Sequence, residues 1–194
     1  MKVLITGVNG FLGGEVAAAL KNIEAEIIGL GLNESPKYSL DKYVQGSVLD
    51  QDVVDQAIEG VDTVIHLAAI TEHTSITSRK FETLSINFEG TKNVLNSFIS
   101  SPTASKFIFS STGKVYGVTG SEAITEEKTP DPRNILGKSK HIVERLIDFY
   151  LQPGKSFVSF RIFQAYGSNQ KDNFLLPTIL KQIDPSKKNS QTIE

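Results

Sequence analysis

Cysteine is absent from the 194 residues, which excludes disulfides and thiolate metal sites. A basic surplus is missing too. The formal net charge is −2, so nothing in the composition argues for a nucleic-acid partner. No apolar run is long enough to span a bilayer. Strand-like residues begin at Val3 and leave no room for a secretory leader, so a soluble, cytoplasmic protein is expected. No internal repeat is visible beyond an alternation of strand and helix patterns. The length suits one domain with a single buried core.

What is present is organised around Gly7-Val8-Asn9-Gly10-Phe11-Leu12-Gly13. Before it, Lys2-Val3-Leu4-Ile5-Thr6 reads as a buried strand. After it, Gly14 to Lys21 is rich in helix formers. In a strand–turn–helix unit Gly7 allows the tight turn, Gly10 lets a pyrophosphate approach the backbone, and Gly13 lets the helix pack closely on the strand. The helix N-terminus then offers N–H groups to phosphates. This unit predicts dinucleotide binding.

Further along, Glu26–Leu30 reads as the second strand, whose end faces the adenosine ribose in such a fold. An acid there would favour NAD, but Gly31, Leu32 and Asn33 follow. No arginine is near and Lys37 is the nearest cation, so the choice between NAD and NADP stays open. A short third strand over 42–46 leads to Asp50, read either as the cap of a helix over 51–59 or as a contact to the adenine amino group. Val61 to Ala69 reads as the fourth strand, with small residues at the ligand-facing end. Its His66 reads as a satisfied core histidine, and with no second histidine at ligand spacing no metal is expected. A long helix is predicted from Phe81 to Ile99, with Leu84, Phe88, Thr91, Leu95 and Phe98 on one face. Strands are predicted over 106–110 and 157–163, a surface loop over 118–133, and helices over 134–150 and 173–183. The alternation predicts an α/β fold, a doubly wound parallel sheet with helices on both faces, over residues 1–183. A polar tail, 184–194, is expected to be poorly ordered.

Six segments together resemble the NAD-dependent epimerase/dehydratase family, the extended short-chain dehydrogenase/reductases that include UDP-glucose 4-epimerase. They are Gly7–Gly13, His66-Leu67-Ala68-Ala69, Asn87-Phe88-Glu89-Gly90-Thr91, Ser110-Ser111-Thr112 with Val115-Tyr116-Gly117, Gly137-Lys138-Ser139-Lys140, and Arg161-Ile162-Phe163 with Tyr166-Gly167. The resemblance implies a Rossmann-type domain and hydride transfer between a nucleotide-sugar carbon and NAD or NADP. It places cofactor contacts at Gly7, Asn9, Gly10, Phe11, Leu12, Gly13, Asp50, Leu67, Ala68, Ala69, Asn87, Ser110, Lys140 and Phe163.

The family's general acid/base is a tyrosine four residues before a lysine, with a serine or threonine on the same sugar oxygen. Here Lys140 and Thr112 match, but the tyrosine's position holds Leu136, which cannot carry a proton. Tyr116 is a possible substitute. Gln164 also stands where the family often has an asparagine. Family members run on well beyond Glu194, so the sugar-binding lobe is expected to be missing. The resemblance further implies a homodimer through helices 81–99 and 134–150. Two functions follow: an NAD(P)-dependent nucleotide-sugar epimerase or dehydratase, or a catalytically impaired dinucleotide-binding protein acting as a sensor or partner subunit.

Overall fold

A computed structural model describes residues 1–71, 78–121, 123–150, 152–167, 169–170, 172 and 174–183. They fall into two compact units, Met1–Phe163 and one beginning at Gln164. The expected tail, 184–194, lies outside the described residues.

Six parallel strands form the sheet of the first unit: β1 (Lys2–Thr6), β2 (Glu26–Gly31), β3 (Lys42–Gln45), β4 (Thr63–His66), β5 (Lys106–Thr112) and β6 (Ser156–Ile162). Their order is β3-β2-β1-β4-β5-β6. The chain starts in the middle, winds one way to β3, then crosses back to β4. That reversal opens a crevice beyond the C-terminal ends of β1 and β4. Strand β1 is central and buried on both faces, which is why its sequence is an unbroken apolar run rather than an alternating one.

Its side chains divide between two cores. Leu4 joins Ile28, Leu30, Val64, Val94, Leu95, Phe98 and Phe107 on one face. Val3 and Ile5 join Val8, Ala17, Ile27 and Ile65 on the other. The first core is covered by α2 (Gln51–Ile58), α4 (Thr91–Ser100) and α5 (Ile135–Phe149), and the second by α1 (Phe11–Lys21). In the second unit a helix, α6 (Leu175–Gln182), occupies part of the helix expected over 173–183.

The long helix expected over 81–99 is three pieces: α3 (Lys80–Leu84), a π-helical turn (Ser85–Gly90), and α4. Downstream of the π turn Thr91, Leu95 and Phe98 are buried as expected. Upstream Thr83 is buried and within the turn Asn87 is, one position before Leu84 and Phe88, and Leu84 is exposed. A π turn inserts one residue into the helical repeat, so the face before it is rotated by one position. Gly90, at its end, leaves room for Val48, whose Cγ2 would lie 2.5 Å from a Cβ at that position. No described helix is long and apolar enough to cross a membrane.

Candidate functional site

The glycine turn is shaped by close backbone contact. Gly7 has φ +71°, and a Cβ on it would lie 2.8 Å from the Ala68 nitrogen. A Cβ on Gly13 would sit 2.4 Å from the Gly7 oxygen and 2.7 Å from the Val8 Cα, so only glycine lets α1 approach β1 this closely. In front of Gly10 the space is open apart from the Gly7 oxygen at 3.1 Å. The first turn of α1, at Phe11, Leu12 and Gly13, has no side-chain cap among the described residues. By contrast α2 is capped by Asp50, and α5 by Asn134, which accepts from the Gly137 N–H at 2.8 Å. The turn therefore ends in N–H donors that lack a side-chain acceptor, suited to an anion.

Asn9 binds the segment after β2 and the β3 side chain beside it. Its Nδ2 donates to Asn33 Oδ1 at 3.0 Å and to the Tyr43 hydroxyl at 3.1 Å, and its Oδ1 accepts from the Lys37 N–H at 2.8 Å. Asp50 caps α2 through one oxygen alone: Oδ1 accepts from Asp52 N at 3.1 Å and Val53 N at 3.3 Å. Its Oδ2 makes no part of the cap, so the capping reading and the adenine reading are compatible.

Behind the crevice runs a buried polar chain. The Ala68 N–H donates to Thr6 Oγ1, 3.2 Å away, which lies 2.7 Å from His66 Nδ1. His66 Nε2 lies 2.9 Å from Thr91 Oγ1, which donates to the Asn87 carbonyl at 2.7 Å. Since the Thr91 proton is committed to a carbonyl, Thr91 must accept from Nε2–H. Nδ1 then accepts from Thr6. His66 is thus a neutral, satisfied core histidine, its pKa pushed down to about 3 by burial and secondarily by nearby Lys140.

Asn87, fully buried in the π turn, accepts from the Ile70 N–H at 2.8 Å and donates to the Ile70 carbonyl at 3.1 Å and to Ser139 Oγ at 3.2 Å. It clips the segment Leu67-Ala68-Ala69-Ile70 to α5. Ser110 adds a second clip, donating to the His66 carbonyl at 2.9 Å.

Lys140 stands at the centre of this region. It is 2% exposed, its Nζ has no hydrogen-bond partner among the described residues, and it lies 4.6 Å from the centroid of the Phe109 ring. Burial alone pushes its pKa down to about 7. Leu136, half-buried, stands one helical turn before it on α5. The turn after β5 abuts the start of that helix, since a Cβ on Gly137 would lie 2.5 Å from the Lys114 oxygen. On that turn Thr112 Oγ1 accepts from the Lys114 N–H at 3.3 Å, a weak bond that leaves its own proton available.

Tyr116 is placed differently. It is buried, stacked on Phe163 with centroids 6.2 Å apart, and its hydroxyl accepts from Arg161 Nη1 at 2.8 Å. Arg161 also forks onto Glu144, with Nε–Oε1 and Nη2–Oε2 both 3.0 Å, and these bonds push the guanidinium's pKa further up. The same guanidinium draws the Glu144 carboxyl below its usual range, against the opposing effect of burial. Among the described residues no three His, Cys, Asp or Glu side chains are grouped to hold a metal.

Sequence reasoning overlooked Tyr43, read only as a strand residue, and the π turn that aims Asn87 inward. Neither carries a local signal, because each is defined by contacts with residues far away in the chain.

The chain is similar in sequence and fold to known proteins. GDP-6-deoxy-D-talose 4-dehydrogenase of Aggregatibacter actinomycetemcomitans is 30% identical over 196 residues, covering all of this chain and 62% of that enzyme. UDP-glucose 4-epimerase of Thermotoga maritima, solved with UDP-glucose, superposes with a TM-score of 0.80 at 25% identity, over 90% of this chain and 59% of that one. MoeE5, solved with UDP-glucose and NAD, superposes with a TM-score of 0.84 at 22% identity, over 93% of this chain and 60% of that one. The chain thus spans about three-fifths of the length of these proteins. The sequence pattern of one family, described as the NAD dependent epimerase/dehydratase family, matches residues 3–192. That match runs over nearly the whole chain, and the chain belongs to the NAD-dependent epimerase/dehydratase family.

Proposed function

We propose that this chain forms the cofactor-binding portion of an oxidoreductase that uses NAD or NADP to transform a nucleotide sugar. The observation that carries the reading is Lys140, an ammonium buried without a partner among the described residues, beside the strand ends where ligands bind in such sheets. A buried charge without a partner costs several kcal/mol and persists where a ligand compensates it. Hydroxyl groups of a cofactor ribose are suitable compensation, and the uncapped α1 turn suits a pyrophosphate. The remaining contacts would come from Asp50 and from the segment Leu67-Ala68-Ala69, with Phe163 closing the far side. When bound, the nicotinamide supplies hydride transfer. Thr112 would hold the sugar oxygen whose proton must move.

Titration calorimetry with NAD and NADP tests this reading. Binding that is abolished by Gly10→Val supports it, because a branched side chain would fill the open space before the turn. Failure of both dinucleotides to bind the folded, unmodified chain would remove it.

Leu136 favours a second reading, a dinucleotide-binding protein without catalysis, since a hydrocarbon stands where the family's proton carrier would be. We place the protein in the cytoplasm and propose that it pairs as a homodimer through α3, α4 and α5, where Phe81 and Phe149 are 91% and 86% exposed. Light scattering that shows a monomer at high micromolar concentration would argue against pairing.

A further inference from the structure

The end of β2 holds the observation that goes furthest. In this architecture an acidic residue there faces the adenosine ribose and repels a 2′-phosphate. Gly31 stands at that point, and its backbone has ordinary geometry, so glycine is not demanded by conformation. The reason for its smallness is a neighbour: a Cβ on Gly31 would lie 3.0 Å from the Tyr43 hydroxyl and 3.4 Å from Asn9 Nδ2. The hydroxyl therefore occupies the direction in which a side chain from position 31 would project.

That hydroxyl is held by two bonds. It donates to the Asn33 carbonyl at 2.8 Å and accepts from Asn9 Nδ2 at 3.1 Å. Its one proton is used and one lone pair remains. Asn33 receives Asn9 Nδ2 on its Oδ1 at 3.0 Å, while its own Nδ2 donates to nothing among the described residues. The three side chains that meet there offer a free acceptor on Tyr43 and a free donor on Asn33, with no carboxylate among them.

Resting on the cofactor reading above, we propose that Tyr43, fixed by Asn9 and Asn33, replaces the ribose-binding carboxylate and makes this end of the site neutral, so that NADP is accepted as readily as NAD. A 2′-hydroxyl can donate to Tyr43. A 2′-phosphate can accept from Asn33 Nδ2 and meets no fixed negative charge at position 31.

The experiment is titration calorimetry of the 194-residue chain with NAD and with NADP, on the unmodified protein, Gly31→Asp and Tyr43→Phe, with circular dichroism confirming each fold. For the unmodified chain the two dissociation constants should agree within about tenfold. Gly31→Asp should weaken NADP by at least about tenfold relative to NAD. Tyr43→Phe should weaken NAD severalfold and NADP less, because only the 2′-hydroxyl donates to the Tyr43 oxygen. A preference beyond about tenfold for either dinucleotide in the unmodified chain overturns the proposal. So does a ratio that Gly31→Asp leaves unmoved; should that variant not fold, the unmodified ratio and Tyr43→Phe still decide. Absence of binding by both dinucleotides removes the cofactor reading and this proposal together, whereas binding of both with the wrong ratio removes this proposal alone.

Discussion

Replacing Lys140 with methionine should make the ligand-free protein more stable and the binding site worse. In the fold the lysine's pKa is about 7, against 10.5 in an unfolded chain, and desolvation is the cause. A displacement of that size corresponds to about 5 kcal/mol of cost to the charged form. Water penetration and relaxation reduce such costs, so a gain of about 2–4 kcal/mol is expected from a methionine of similar length at pH 6.

The pH dependence separates this cause from simple repacking. Between about pH 7 and pH 10.5 the unfolded chain holds a proton that the folded one has released, so the unmodified protein gains stability as pH rises through that window. Lys140→Met lacks this term. Its advantage should be largest at or below pH 7 and should fade toward pH 10.5. Urea unfolding at a series of pH values measures it: a gain of about 2 kcal/mol moves the midpoint by roughly 1 M. Titrations of side chains that Lys140 does not influence cancel in the difference between the two proteins, and His66, which it does influence, titrates below this window. Calorimetry on the same variant should show NAD bound at least about tenfold more weakly. If the methionine destabilises the fold at pH 6, or its gain is the same at every pH, then Lys140 is not a buried uncompensated charge and the functional reading loses its main support.

Other expectations follow from separate parts of the site. Gly13→Ala drives a methyl group against the Gly7 oxygen and the Val8 Cα, both backbone atoms that cannot swing aside, and should cost about 1–3 kcal/mol in thermal melts while abolishing dinucleotide binding. His66 is neutral in the fold with a pKa of about 3, so as pH falls from about 6.5 toward 3 the unfolded chain binds a proton that the folded one does not, and stability is lost. His66→Gln should flatten that acid limb in melts between pH 4 and 7, a window that does not overlap the one set by Lys140. Leu136→Tyr puts a phenol one turn from Lys140 and should raise single-turnover hydride transfer from a nucleotide hexose, followed by nicotinamide absorbance, by about 10²–10⁴-fold. A parent that is already fast and unaffected by the change would show that the proton travels by another route.

Local signals carried much of this protein. The glycine turn was legible because each glycine answers a short-range demand: a positive φ at Gly7, and backbone against backbone at Gly13. Strands β1, β2, β4 and β5 were legible because a parallel sheet covered on both faces needs apolar runs. Asp50 announced the start of α2, since a cap acts within three residues of itself. The family pattern pointed to Lys140 and Thr112 as candidates by spacing, and made Leu136 conspicuous.

Other features were decided only when distant segments met. Lys140 reads in sequence as an ordinary helix lysine, and its lowered pKa exists because α5 presses it onto Phe109 beside His66. The inward placement of Asn87 required the π turn, which rotates one stretch of helix by a residue and leaves the hydrophobic period upstream misleading. Tyr116, a reasonable stand-in proton donor by sequence, is engaged by Arg161 from the neighbouring strand. Tyr43 reaches the end of β2 only because β3 pairs beside it in parallel register. Turns and caps answer to nearest neighbours and are written locally, whereas burial, pKa and the partners of a side chain depend on what the fold brings against it.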